Sequence, residues 1–442
     1  MDAERKLACF ALWGIYLAQV ERVVTRAFSR CWMATAVALT ALMNQPANAG
    51  VGAQPPLPEQ GDFTDLYAGV QELYDGNLFR LAPGLTPSDA IDPNASRSDI
   101  ETTGSVGADI QRVYDRQTVL LDLHLDENRF ERNTSLNNTS GYGKLLVNWE
   151  VGPYFTGTAG ANYSHALTSY GEALYLGRDL VTVQDYLVTG RYQLGPHWSV
   201  YGGGDDSRVA HSAPAAQSSD FRTENGDAGV EYAFDATDTV SAEYHYDEGQ
   251  FHSGEVFTYG SLTFSPNFHD DILLLVGKHS FSDKTQLVAQ VGYQKRFYPA
   301  TSIGSFAGDV WRVTFNWTPT EKTQVAIAAW HELHAYLVAQ SNYFVSEGGS
   351  ITPTWFATEK LSFAALVSYE SQKYIPESQS YVVAAGGPLK ANIAVERANI
   401  NYSPRDFLQL SLSYIHTIRS SDALSFRYGD DLATFSVLYK TR

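Results

Sequence analysis

From about Ile100 onward, apolar and polar side chains alternate with a period of two. Val119, Leu121, Leu123 and Leu125 are interleaved with Asp122, His124 and Asp126; Val240, Ala242, Tyr244 and Tyr246 with Glu243, His245 and Asp247; Trp311, Val313, Phe315 and Trp317 with Arg312, Thr314 and Asn316. Side chains of a strand point alternately to its two faces, so each run has one apolar and one polar face. The runs come in pairs. Seven times a segment ending in a polar residue and, mostly, an aromatic enters a tight turn before the alternation restarts, beginning at Asn148, Arg191, Glu231, Lys278, Asn316, Thr354 and Asn401. These starts lie 43, 40, 47, 38, 38 and 47 residues apart, room for two strands and one longer connection. Short turns on one side and long connections on the other are the pattern of a transmembrane β-barrel.

Alternation alone also fits an extracellular β-solenoid or sandwich array. The aromatics before the turns favour the barrel: Trp149, Tyr192, Tyr232, Trp317, Trp355 and Tyr402 fall where an aromatic girdle would meet one membrane interface, with His279 the exception. The fold class is therefore all-β, an antiparallel outer-membrane barrel. The seven modules supply fourteen strands, Ile100 to Arg112 with Gln117 to Arg129 a further pair, and Leu66 to Tyr74 and Leu432 to Tyr439 one at each end. That gives eighteen, or sixteen without the early pair, and an even count leaves both termini on the short-turn side.

The N-terminal segment differs. Arg22, Arg26 and Arg30 precede the apolar run Met33 to Met43, and Ala47-Asn48-Ala49 has the form of a cleavage site, so residues 1–49 read as a signal peptide with an over-extended start. Residues 50–62 read as a periplasmic lead-in, and 63–442 as one barrel domain. Both cysteines, Cys9 and Cys31, fall in the leader. The whole chain carries −18, and the leader holds five basic against three acidic residues, so the remainder is more acidic still. A concentrated basic surface for nucleic acid is not expected. After Gly50 no window approaches twenty consecutive apolar residues, and the run Ile272 to Gly277 is six, far short of a membrane helix.

Chemistry is sparse. His331-Glu332-Leu333-His334 is one residue short of a zincin helix motif, and in a strand its two histidines face opposite ways. Ser164-His165 separates nucleophile and base in the same manner. Gly202-Gly203-Gly204 precedes no helix and reads as a flexible strand end, not a phosphate loop. No enzyme activity and no cofactor are expected. The polar faces are more informative: Asp122, His124, Asp126, Asn148, Arg191, Glu243 and His245, then Gln286, Gln290, Gln294, Arg312, Asn316, Glu370 and Arg419, are assigned to a wet lumen. Acidic pairs at Asp205-Asp206, Asp270-Asp271 and Asp430-Asp431 are expected in outer loops, as weak candidates for divalent cations bridging lipopolysaccharide.

Tyr74-Asp75-Gly76-Asn77-Leu78-Phe79-Arg80-Leu81 resembles the D-x-N-L-F-R-L signature of the exosortase-associated exopolysaccharide outer-membrane proteins of the EpsL type, with Asp75, Asn77, Leu78, Phe79 and Arg80 as the matching positions. Trp317-Thr318-Pro319-Thr320 and Gly349 to Trp355 resemble that family's later hairpins, and the likeness runs from about Phe63 to Tyr439. Gly76 stands where a polar or acidic residue is expected, and the chain ends Tyr439-Lys440-Thr441-Arg442 rather than on an aromatic. The resemblance implies a non-catalytic outer-membrane barrel that assembles or exports an exopolysaccharide, its partners being the polymer, membrane lipid, lipopolysaccharide and secretion components. From the residues alone, a general or substrate-selective porin and a closed surface-assembly or adhesion barrel stand beside it. Asp75-Gly76-Asn77 reads as a turn, with Phe79 and Arg80 packing back into the mouth.

Overall fold

Alternating runs of this length cannot satisfy their backbone groups singly, and in the computed structural model they pair into one closed sheet. The structure describes residues 61–87, 95–171, 176–252, 257–259, 262–264, 267–298, 306–338, 341–376 and 389–441. The leader, both cysteines and nearly all of the lead-in lie outside these. Eighteen strands form the wall: β1 (Phe63–Asp75), β2 (Asp99–Tyr114), β3 (Gln117–Phe130), β4 (Asn138–Val151), β5 (Phe155–Leu167), β6 (Leu180–Gln193), β7 (Trp198–His211), β8 (Phe221–Ala233), β9 (Thr239–Phe251), β12 (Phe268–Ser282), β13 (Thr285–Phe297), β14 (Phe306–Thr320), β15 (Thr323–Val338), β16 (Ser341–Thr358), β17 (Leu361–Pro376), β18 (Lys390–Arg405), β19 (Leu408–Ser421) and β20 (Tyr428–Lys440). A two-stranded ribbon, β10 (Phe257–Tyr259) with β11 (Leu262–Phe264), belongs to the connection from β9 to β12 and not to the wall.

Each wall strand runs antiparallel to its neighbours. The ring closes where β1 pairs with β20 in the register Tyr67↔Lys440 to Asp75↔Leu432. Closure leaves no open sheet edge, as strands must in hydrocarbon. Every one of the seven repeated modules is a strand, a tight turn and a strand, as is the pair β2–β3; β3 begins at the expected Gln117, and the other strand ends expected from sequence extend one to four residues further. Asp115 makes the β2–β3 turn at φ 56°, a left-handed conformation that aspartate tolerates. The start of β1 and the end of β20 both lie at the short-turn end, where Thr441 donates its backbone N–H to the Leu66 carbonyl.

The two faces are reversed relative to a soluble protein. Outward positions are large, apolar and exposed, among them Leu125, Val188, Leu273, Val291 and Val367. Inward positions are polar and buried, among them Thr118, Asn148, Ser207, His245 and Thr314. Such an exterior can be satisfied only by lipid, so the barrel is of the transmembrane, outer-membrane type. Trp149, Tyr192, Tyr232, Trp317, Trp355 and Tyr402 all stand outward near the short turns. At the turn where His279 breaks that series, the exposed Phe281 packs on its ring at 4.5 Å.

The opposite end departs from the expectation of loops throughout. β15 and β16 extend until only residues 339–340 separate them. The acidic pairs are not in loops either: Asp205-Asp206 lies in β7, Asp270-Asp271 in β12 and Asp430-Asp431 in β20. Adjacent strand residues face opposite sides, so each pair is split between lumen and exterior and cannot chelate one ion. Gly202-Gly203-Gly204 sits inside β7, paired across to β6 and β8, rather than at a strand end.

Candidate functional site: the lumen and its latched mouth

Cross-strand partners share a face, so the register assigns the lining. Asp122, His124 and Asp126 of β3 face inward beside Lys144, Tyr142 and Ser140 of β4. His124 contacts Asp126 at 2.6 Å and the Tyr67 hydroxyl at 3.0 Å. Asn148 accepts from Thr158, and Arg191 pairs with Glu231 at 2.6 Å while lying over the Tyr201 ring. On β9, Glu243 gathers the Tyr201 hydroxyl at 2.7 Å, the Ser241 hydroxyl at 2.9 Å and His245 at 3.0 Å.

The far wall continues the pattern. Gln286 lies opposite Asn316, and Gln290 opposite Arg312. Gln294 and Arg296 both donate to Asp270, the arginine through two bonds of 2.8 and 2.5 Å. Arg312 makes the same bidentate fork with Glu332, at 2.7 and 2.6 Å, and stacks over Trp330. A hydrogen-bond chain then links four strands, β15, β16, β17 and β19: Trp330 Nε1 donates to Ser346, Ser346 and Gln372 donate to Glu370, Tyr374 donates to Gln372, and Arg419 donates to Tyr374. All fourteen lumen candidates thus occupy the face opposite the aromatic girdle. The lumen assignment left out Asp109, Asn162, Asp185 and Asp227, because glycine and alanine blur the faces of several of these strands, and Asp247, although the alternation already placed it on the polar face of its strand beside Glu243 and His245.

At the mouth, the segment after β1 is tied into the seam. Asp430 accepts the Asn77 backbone N–H at 2.9 Å, and the Asn77 side chain spans the Leu81 and Gly429 carbonyls, both at 3.0 Å. Arg80 contacts Asp75 at 2.9 Å and Asp430 at 3.1 Å. Its backbone is held at φ 54°, a conformation non-glycine residues rarely adopt and tertiary contacts must enforce. Burial works to lower the Arg80 pKa, but the charges of Asp75 and Asp430 outweigh it and raise the value. A Cβ at Gly76 would stand 3.3 Å from the Asp431 carbonyl oxygen, a close approach that a glycine avoids. Phe79 is buried and packs on Tyr170 at 5.0 Å, in a cluster with Leu78, Leu81, Phe130 and Leu136. A second apolar cluster, including Val181, Val209, Phe221, Phe251 and Phe268, lies at the same end of β6 to β12.

The register separates the members of both sequence constellations. Ser164 and His165 face opposite sides, and His165 contacts Thr182 at 2.9 Å. His331 reaches Glu347 on the outer face, whereas His334 is 3.8 Å from Glu332 on the inner one. Among the described residues no group of three or more His, Cys, Asp or Glu is arranged to hold a metal ion.

No known family model matches the chain, and no curated protein matches it. Solved structures that resemble it are outer-membrane barrels at low identity. OpdL of Pseudomonas aeruginosa is 12% identical with a TM-score of 0.43, the match covering 86% of this chain and 98% of that one. The outer membrane protein opdK of the same organism is 12% identical with a TM-score of 0.45, over 86% and 98%. The FrpB iron transporter of Neisseria meningitidis is 9% identical with a TM-score of 0.47, over 87% and 83%.

Proposed function

We propose that this protein is a bacterial outer-membrane channel through which small hydrophilic solutes cross passively, without catalysis. The observation that carries the reading is the number of strands combined with the polarity of the inner face. Barrels of sixteen to eighteen strands are wide enough to leave an aqueous passage, whereas eight strands fill theirs with side chains. The lining offers carboxylates, amides and guanidinia already held in defined orientations, which hydrated solutes can exchange for water. Reconstitution of the protein without its leader into planar bilayers tests this: discrete conductance steps are expected, and a silent barrel in correctly folded preparations refutes it in favour of a closed surface barrel.

A second reading, export or assembly of an exopolysaccharide, rests on the signature from Asp75 to Leu81. Gene deletion separates the two. Loss of secreted polymer with unchanged solute uptake supports export; unchanged polymer with altered uptake supports the porin.

A further inference from the structure

The charge of the inner wall is unevenly distributed around the ring. At mid-height, β2 to β9 present Asp109, Asp122, Asp185, Asp205, Asp227 and Asp247. Their common face follows from register: Asp109 lies opposite Asp122, and Asp122, Lys144, Asn162 and Asp185 are successive cross-strand partners. Leu187 then faces Asp205, Asp227 faces His245, and Asn225 faces Asp247. Lys144 stands within this arc, and Lys440 neutralises part of its lower edge, 2.9 Å from Asp109 and 3.4 Å from Asp65.

The opposing wall at the same height is mainly apolar or amide, with Leu274, Gln290, Leu366 and Ile415. Arg397 faces inward there, and Arg312 is neutralised by Glu332. An independent sign of what the arc accepts comes from Asn162. It is only 7% exposed, lies between Lys144 and Asp185, and its Oδ1 has no hydrogen-bond partner. A buried carbonyl oxygen in that condition lacks a donor or a cation.

We propose that this arc of carboxylates, with the Asn162 carbonyl, makes the lumen selective for small cations, alkali and ammonium-type, over anions. The proposal rests on the channel reading above. Carboxylates held along one wall of a low-dielectric passage concentrate their field and enrich counter-ions within it. Lumen charges lie within about 10 Å of a passing ion, so physiological salt screens them incompletely.

The test is the reversal potential of the reconstituted full barrel across a tenfold KCl gradient. A potassium preference over chloride of about fivefold or more is expected; equal permeability or a chloride preference overturns the proposal. Complete absence of conductance instead overturns the channel reading, so the two failures are distinguishable. A variant combining Asp122→Asn, Asp185→Asn, Asp205→Asn and Asp227→Asn should reduce the permeability ratio at least about threefold. Asp271→Asn, on the outer face, should leave it unchanged. If the quadruple variant does not assemble, Asn162→Lys alone serves: it should move the ratio toward chloride, and an unaltered ratio counts against the arc.

Discussion

Single side chains decide the seam. Arg80 is balanced by two carboxylates, and removing one partner of a buried ion pair leaves an uncompensated charge. Arg80→Ala should therefore destabilise the barrel by about 3–5 kcal/mol, read as a lower denaturant midpoint for loss of the heat-modifiable form. Asn77→Ala forfeits three side-chain bonds and should cost about 2–3 kcal/mol by the same assay. A gentler case lies in the turn from β8 to β9. There Asp235 accepts the Thr237 backbone N–H, and Asp238 accepts the Ser280 backbone N–H, which lowers both pKa values. A depressed carboxylate stabilises the fold above its unfolded pKa of about 4 and loses that contribution as pH falls through the folded value. The stability difference between wild type and Asp238→Asn, followed by thermal midpoint between pH 7 and 2, should thus shrink toward zero at the acid end. From sequence, Asp75-Gly76-Asn77 was legible as a turn. Its partner Asp430 was not, because it lies 353 positions further along the chain than Asn77.

At the scale of strands, periodicity exposed nearly everything that two faces of different polarity can expose. The β2–β3 pair and the seven hairpins follow from alternation and turn chemistry alone. What alternation does not carry is where a strand stops, so the acidic pairs were assigned to loops although Asp270-Asp271 and Asp430-Asp431 lie near the ends of their strands and Asp205-Asp206 in the middle of β7. It also hides a packing device visible only in register. Trp149 lies directly across from Gly157, and its ring occupies the space where a Cβ would be, 2.0 Å from Cζ2, with the Thr189 carbonyl oxygen at 2.3 Å. Tyr201 over Gly229 and Trp330 over Gly348 repeat it on the inner face. An aromatic laid over a glycine restores side-chain coverage that the glycine lacks. Gly157→Val should therefore displace the girdle tryptophan and reduce folded yield severalfold in refolding assays. Gly226→Val, on β8 with open space around its Cβ position, should be tolerated and even favoured by strand propensity.

The whole molecule adds direction. An even strand number puts the start of the first wall strand and the end of the last on the short-turn side, which the structure shares with the sequence-based count. Because residues 50–442 contain no cysteine, single cysteines introduced into a protein of those residues report sidedness cleanly. A cysteine replacing Asp422, between β19 and β20, should react with a membrane-impermeant maleimide on intact cells. One replacing Lys284, in the turn from β12 to β13, should react only after the outer membrane is permeabilised; the reverse pattern would invert the topology. The lumen itself was legible in which face is polar, but not in its uneven charge, since that depends on which strands lie opposite one another around a closed ring.

The contacts made by Asp430 also bear on how such a ring is completed. The first and last strands can meet only after everything between them has been placed, and the side-chain period is two. A slip of one position at that junction would turn Asp430 toward lipid and strand Arg80 without its second carboxylate. The mouth latch is thus a register check on the final pairing: a mis-zipped barrel carries an isolated charge in the wrong medium and is driven to reopen.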